Sequence, residues 1–165
     1  MDIRRISKEY RTLVNAFLRE RWFSTVMVIR RRAFDLSGSD GFLLSEDGRV
    51  TALITFRIAG KTCEITSLDS LIENRGAGTA LVESVIVEAA ARGCRRIRVV
   101  TTNDNVRAIR FYQKRGFDLK RLYRNSLERA RKIKPEIPAA GENGIPLKHE
   151  LEFEHTIRRQ KGRPL

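Results

Sequence analysis

Glu73-Asn74-Arg75-Gly76-Ala77-Gly78-Thr79-Ala80-Leu81 is the stretch on which the fold turns. Before it, Thr62 to Leu68 reads as a strand. After it, Leu81, Val82, Val85, Ile86 and Ala89 recur at three- and four-residue spacing, the mark of an amphipathic helix. A strand, a glycine turn and a helix in succession make a phosphate cradle. Gly76 and Gly78 carry no Cβ, so the backbone around Ala77 can turn tightly and present successive N–H groups to an anion at the positive end of the helix dipole. Arg75 adds a cation, and the Thr79 hydroxyl either binds phosphate or simply packs.

Two better-known phosphate motifs do not fit. The dinucleotide fingerprint wants a third glycine or alanine where Leu81 stands, and an acidic residue about twenty positions on, where Arg95, Arg96 and Arg98 lie. The nucleotide-triphosphate loop needs Gly-Lys-Ser/Thr, which is absent.

A second stretch narrows the reading: Asn105-Val106-Arg107-Ala108-Ile109-Arg110-Phe111-Tyr112-Gln113-Lys114-Arg115-Gly116-Phe117. With the first it resembles the paired motifs of the GNAT superfamily of acyl-CoA-dependent N-acyltransferases, Gln/Arg-x-x-Gly-x-Gly/Ala and Asn-x-x-Ala-x-x-hydrophobic-Tyr-x-x-x-Gly-Phe. The resemblance spans roughly residues 41 to 117. Glu73 departs from it, standing where the family has Gln or Arg; a carboxylate repels phosphate, so Glu73 is not carried over as a ligand. A narrower likeness, in Thr101-Thr102-Asn103-Asp104-Asn105, Lys134-Pro135 and Gly144-Ile145-Pro146-Leu147, is to small bacterial GNAT proteins without an assigned substrate.

The resemblance implies an α/β fold of mixed α+β type: a central mixed, mostly antiparallel sheet, splayed at the cofactor site, with helices on both faces. It implies acetyl-CoA as cofactor and acetyl transfer to a primary amine by direct attack in a ternary complex. Leu68, Asp69, Ser70 and Leu71 are then expected to bulge and hold the pantetheine arm, with Arg75, Gly76, Ala77, Gly78 and Thr79 at the pyrophosphate. Tyr112 falls at the position of a family tyrosine near the cofactor sulfur, where its phenol could protonate the leaving thiolate; the alternative is a core aromatic beside Phe111 and Phe117. Asn105 is either a cofactor contact or a helix cap.

Attack by an amine also needs a base, because an alkylammonium is almost wholly protonated near neutral pH. Glu64 is the first choice. Strand alternation separates it from Cys63 and Ile65, so it turns either toward substrate or outward to pair with an arginine. Asp69 and Glu73 are rivals, and Glu150, Glu152 and Glu154 form a strip that either attracts a cationic substrate or pairs with internal arginines. Trp22 and Phe23 line a substrate pocket or belong to the core. An acyl-enzyme on Cys94 is disfavoured, since no activating histidine accompanies it.

Along the chain the pattern predicts a strand at 3–6, a helix capped by Ser7 and running to about Glu20, a strand at 25–29, a loop at 35–40, and hairpin strands at 41–44 and 50–56 joined by Glu46-Asp47-Gly48. Beyond the cradle helix it predicts a strand at 95–101, a helix at 106–115, a strand at 117–123, a helical turn or two at 126–132, a long loop and a final strand at 147–157. The 165 residues suffice for one domain, 1–165, with a core of its own.

Two cysteines without a CxxC pair or a His/Cys cluster leave no expected zinc site or disulfide. His149-Glu150 opens a zinc-protease start whose second histidine is replaced by Phe153. No apolar run is long enough to span a membrane and the N-terminus is charged, which points to the cytoplasm. Net charge is +13, and fifteen Lys/Arg between Arg92 and Lys134 face only Asp104, Asp118 and Glu128. This field suits anionic ligands and leaves a nucleic-acid-binding module as the rival function, although basic residues are not interleaved with the aromatics that stacking platforms use. The amine, on a small molecule or a protein, is not legible, and neither is the oligomeric state, a homodimer being compatible.

Overall fold

The computed structural model describes residues 1–73 and 75–158. Nine strands, β1 (Arg4–Arg5), β2 (Val26–Ile29), β3 (Arg32–Asp35), β4 (Asp40–Glu46), β5 (Arg49–Ala59), β6 (Thr62–Ser70), β7 (Arg96–Thr102), β8 (Asp118–Tyr123) and β9 (Glu150–Thr156), alternate with four helices, α1 (Arg11–Trp22), α2 (Ala77–Ala91), α3 (Val106–Lys114) and α4 (Ser126–Ile133). Seven strands form one sheet in the order β1-β4-β5-β6-β7-β9-β8, and β2 and β3 form a separate hairpin. Every pair in the large sheet is antiparallel except β6–β7, which the α2 crossover makes parallel.

Local chemistry sets the hairpins. Asp47 and Gly48 both have positive φ (49° and 74°) and join β4 to β5 through a two-residue turn whose twist suits adjoining strands. Gly60, at φ 59°, begins the next turn, which aligns Ala59 with Thr62 and therefore Arg57 with Glu64.

The central strands of the sheet are buried on both sides, whereas β8 at one edge is largely exposed. On one face Ala52, Ile54, Phe56, Cys63, Ile65, Ile97, Val99 and Phe153 pack against Leu81, Val82, Val85 and Ala89 of α2 and Tyr112 of α3. On the other, Leu43, Val50 and Leu53 pack against Val14, Phe17 and Leu18 of α1, with Met27 and Phe34 of the hairpin beside them. Leu127 and Ala130 of α4, with Leu147, close over Val28. Helices on both faces and a mixed sheet match the expectation. Strand β3 lies just before the 35–40 loop and was not foreseen as a strand, its alternation being only four residues long. The expected Ser7 cap makes no side-chain hydrogen bond; a 3₁₀ turn over Lys8–Tyr10 precedes α1 instead.

The feature that positions a site is the parting of β6 and β7. Their pairing runs from Thr62↔Arg96 to Ile65↔Val99 and stops. Beyond it β6 stays with β5 to Ser70, while β7 stays with β9 to Thr102. The backbone groups of residues 66–70 that face β7 therefore have no ladder partner, a condition that water or a ligand must meet.

Candidate active site

The wide end of the slot between β6 and β7 leads to the start of α2. Gly76 caps that helix at φ 74° and ψ 8°, left-handed backbone that glycine adopts without penalty, and no side chain caps it among the described residues. The first-turn N–H groups are thus available to an anion. A Cβ on Gly76 would meet nothing within 4 Å. Gly78 answers to a different need: a Cβ there would lie 3.2 Å from Phe111 Cε2 and 3.3 Å from Cζ, so its bareness admits the α3 aromatic. Asn74 lies outside the described residues, and Arg75 is exposed beside the cap.

A cation that the sequence reading passed over completes this end. The Arg115 guanidinium stacks 3.6 Å from the Phe111 ring centroid, donates to the Phe111 carbonyl at 2.9 Å and donates through Nε to Thr79 Oγ1 at 2.9 Å. The Thr79 hydroxyl, so engaged, retains its own proton to donate outward. Its signal in the sequence was slight, an arginine just before Gly116-Phe117. Glu73, the departure from the motif, is paired with Arg107 at 2.6 Å on the surface, which offsets its charge near the cradle.

The strand residues expected to hold pantetheine are placed differently from one another. Leu68, Asp69 and Ser70 pair regularly with Ile54, Leu53 and Ala52, and Leu71 N–H donates to Thr51 O. The departure from the next strand expected over Leu68 to Leu71 begins after Ile65, and a bulge in the β5–β6 ladder falls at Thr66, which is skipped between the Thr55↔Ser67 and Phe56↔Ile65 pairs. Its cause is a buried hydroxyl cluster: Thr55 Oγ1 bonds Thr66 Oγ1 at 2.8 Å and Ser67 Oγ at 2.6 Å. The bulge thus sits just where β6 leaves β7. Asp69 is held by Arg21 of α1 at 3.0 Å, and Ser70 Oγ closes its own turn with Ile72.

Tyr112 sits on α3 with its ring against Phe111, Phe117 and Phe153 at centroid distances of 5.2, 5.3 and 6.2 Å. Burial pushes its phenol well above the ordinary tyrosine range. Asn105 caps α3, its side-chain oxygen accepting from Ala108 N–H at 3.0 Å, which realises the cap alternative.

The opposite face of the sheet holds an ionic cluster beneath the β2–β3 hairpin. Glu64, buried, accepts from Arg30 Nη2 at 2.8 and 3.0 Å, from Arg57 Nε and Nη2 at 3.0 and 2.6 Å, and from Arg98 Nη2 at 3.4 Å. Burial alone would raise its pKa. The bonds and charge of Arg30, with Arg57 and Arg98, outweigh that and hold it below the usual carboxylate range. This corrects the assignment of Glu64 as base: a carboxylate clamped by three guanidiniums resists taking a proton near neutral pH.

Arg57↔Glu64 follows from the β5–β6 hairpin turn, Arg98 faces Glu64 through the parallel register, and Arg30 arrives from a separate hairpin; the sequence pattern offered an arginine partner but identified none of the three. Arg30 and Arg31 both hold positive φ, 50° and 66°, which is costly for long side chains. Arg30 is pinned there by Glu64 and by its own N–H donating to Glu150 Oε2 at 3.1 Å.

The acidic strip is internal rather than displayed. Glu152 accepts from Tyr123 Oη at 2.9 Å and faces Arg98 Nε at 3.6 Å. Glu150, opposite Thr102 of β7 and 3% exposed, is the carboxylate whose pKa burial raises, against the pull of the Arg30 N–H and charge. Its Oε1 is buried without a hydrogen bond, and Ser126 Oγ nearby is likewise unpartnered.

The cysteines are unsuited to nucleophilic work: burial pushes the Cys63 thiol up to about 12 and raises that of Cys94. Trp22 packs on the α1 side of the core, whereas Phe23 is exposed. Among the described residues no His/Cys/Asp/Glu group could hold a metal, and no helix is long and apolar enough to cross a membrane. Of the basic stretch, Arg92, Arg98 and Arg107 are spent on carboxylates, Arg131 on the Ile137 and Pro138 carbonyls, and Lys134 on that of Val26.

Comparison with known proteins agrees with this geometry. The model of the acetyltransferase (GNAT) family matches residues 5–117. The chain is 44% identical over 146 residues to "uncharacterized protein YdhI" of Bacillus subtilis (strain 168), covering 88% of this chain and 91% of that one. It is 46% identical over 140 residues to YxbD of the same organism, also named uncharacterized, covering 84% and 88%. Among solved structures it is similar to an "IAA acetyltransferase" of Bacillus cereus ATCC 14579, with a TM-score of 0.70, 22% identity and 94% and 98% coverage. It is also similar to a GNAT acetyltransferase of Elizabethkingia anophelis solved with acetyl-CoA bound, with a TM-score of 0.67, 16% identity and 94% and 97% coverage. With the family model covering most of the chain and two relatives at 44% and 46% identity, the chain belongs to the GNAT acetyltransferase family.

Proposed function

We propose that this protein transfers an acetyl group from acetyl-CoA to a primary amine by direct attack in a ternary complex. The observation that carries the reading is the end of the β6–β7 pairing at Ile65/Val99, which leaves a line of unpaired backbone groups leading to a helix start that no described side chain caps. The residues fit the cofactor. The first turn of α2 can bind its pyrophosphate with Arg75 and Arg115, and residues 66–70 of β6 offer backbone donors and acceptors to an extended amide-bearing arm. When bound, the cofactor supplies an acyl group on a thiol leaving group.

The chain's own residues do the rest. N–H groups at the Thr66 bulge are the donors available to a developing oxyanion. Tyr112 stays protonated because it is buried, so it acts as a hydrogen-bond donor to the departing sulfur. Full transfer of its proton would run uphill, since a free thiol has a pKa of about 8.5 and the phenol lies far above that.

Glu150 replaces Glu64 as the proton acceptor. It is buried on the acceptor-side face, has a free oxygen, and is the acid whose pKa lies above rather than below the ordinary range. Glu64 positions the arginines around it. Calorimetric titration of acetyl-CoA tests the cofactor half, with Gly76→Asp as control: its carboxylate has room and repels the pyrophosphate, and a thermal melt checks that the variant stays folded despite the strained backbone at φ 74°. Micromolar binding, abolished by the variant, is the expected result; no binding by folded wild-type protein removes the acetyl-transfer reading.

A further inference from the structure

The cluster around Glu64 is not closed. A recess of about 130 Å³ opens onto it, lined by Arg57, Ala59, Thr62, Glu64 and Arg98. Three guanidiniums, of Arg30, Arg57 and Arg98, meet the carboxylates of Glu64 and Glu152, with Glu150 held by the Arg30 backbone N–H. Arg98 Nε is buried without a hydrogen bond, its nearest carboxylate oxygen standing 3.6 Å away. Glu64 Oε2 is shared by Arg30, Arg57 and Arg98 together, more donors than one oxygen can satisfy well. At the rim Arg96 Nε donates to Thr62 Oγ1 at 2.8 Å, bringing a fourth guanidinium to the mouth.

Arg57 and Arg98 are only part-buried, 32% and 25% exposed, so their outer N–H groups face the recess and solvent. A guanidinium's planar fork binds carboxylate-like groups in pairs of parallel bonds. A buried guanidinium N–H without a partner beside a polar hollow calls for an acceptor, and an anionic one suits the arginines best.

The position relates this hollow to the chemistry. Glu64 and Arg98 are register partners one residue before the last β6–β7 pair, and the Thr66 bulge follows two residues later, about 7 Å along the strand. Both side chains lie on the face away from α2 and α3, which leaves them clear of the helix whose start forms the cradle.

Resting on the acetyl-transfer reading, we propose that this recess is an anion subsite of the acceptor pocket, and that the substrate is a small amine carrying a carboxylate or similar anionic group roughly 4–7 Å from its nitrogen. Arg57 and Arg98 hold the anion; Glu64 and Arg30 hold the arginines. The nitrogen is thereby placed at the apex of the slot.

Two measurements test this independently. In chloride-free buffer, straight-chain ω-amino carboxylates of two to five carbons and their primary amides are titrated into the wild type, Arg57→Gln and Ala59→Glu, with binding followed by calorimetry. Ala59→Glu leaves every arginine in place and puts a competing carboxylate at the rim. Carboxylates are expected to bind at least tenfold more tightly than the matching amides, and both variants to lose that preference while still binding acetyl-CoA.

Equal binding of carboxylate and amide, or a preference that survives in Ala59→Glu, overturns the subsite whether or not the protein transfers acetyl groups. The same compounds are then offered with acetyl-CoA to the wild type. Selective acetylation of the carboxylates through a lower KM ties the subsite to the reaction. Carboxylates that bind but are acetylated no faster than their amides overturn its role in acceptor choice. Failure of acetyl-CoA to bind counts against the transferase reading alone.

Discussion

Removing the charge of Glu64 while keeping its shape, by Glu64→Gln, separates a structural ion cluster from a catalytic base. The carboxylate is 2% exposed and faces three guanidiniums within 3.4 Å. Breaking a buried pair by removing one partner costs about 3–5 kcal/mol, because the remaining charge stays buried and uncompensated. In a protein of this size each kcal/mol moves the melting temperature by about 2–4 °C, so Glu64→Gln should lower it by about 6–20 °C at pH 7.

The pH dependence has a fixed sign. The folded pKa of Glu64 is depressed, so its contribution is fully present above the unfolded value of about 4.3 and is lost as pH falls through the folded value. The wild type should therefore lose stability on acidification below about pH 4.3, and Glu64→Gln should lose less. Excess acetate or propionate should raise the variant's melting temperature more than the wild type's, since it meets arginines without their counter-ion. Melts followed by circular dichroism from pH 3 to 8 decide the matter. A variant melting within 2 °C of wild type, with the same acid slope, would refute a buried cluster of about this strength.

Glu150→Gln should lower kcat/KM by about 10²–10⁴ and erase the limb on which the wild-type rate rises with pH, since a base works only when deprotonated and burial sets its pKa above the ordinary carboxylate range. A limb that persists places the base elsewhere. Tyr112→Phe removes one donor and should cut kcat by about 10²-fold, leaving acetyl-CoA affinity and melting temperature nearly unchanged; an unaltered kcat makes Tyr112 a core aromatic. Arg115→Ala frees Thr79 and removes a cation from the α2 start, so acetyl-CoA affinity should fall by about tenfold and depend less on salt. An unchanged Kd by calorimetry would confine Arg115 to packing on Phe111.

What the sequence disclosed follows from how far apart interacting residues lie along the chain. The cradle and α3 are contiguous pieces whose spacing encodes their geometry, so Gly76, Thr79, Asn105 and Tyr112 could be placed by pattern. Turn chemistry carried the β4–β5 and β5–β6 hairpins, while the Arg57↔Glu64 pairing waited on the register. Gly78 was legible as a necessary glycine, yet its reason, the ring of Phe111, depends on the docking of α3 against α2. The bulge escaped because its cause is a cross-strand hydroxyl cluster: Thr66 and Ser67 are ordinary strand residues until Thr55 lies opposite.

The base was misjudged for a related reason. Spacing told that Glu64 faces away from Cys63 and Ile65, but not that two more arginines would meet it there. Arg98 comes through a parallel register set by a 15-residue crossover helix, and Arg30 from a hairpin outside the main sheet, held at a backbone angle that favours glycine. No periodicity in either segment marks the other. The cofactor half of this site is thus written locally, in motifs a single stretch can carry, while the proposed acceptor half is assembled from β2–β3, β5, β6, β7 and β9. Substitutions in those segments can alter the charge of the recess without touching the cradle, so acceptor choice can change while cofactor binding is kept.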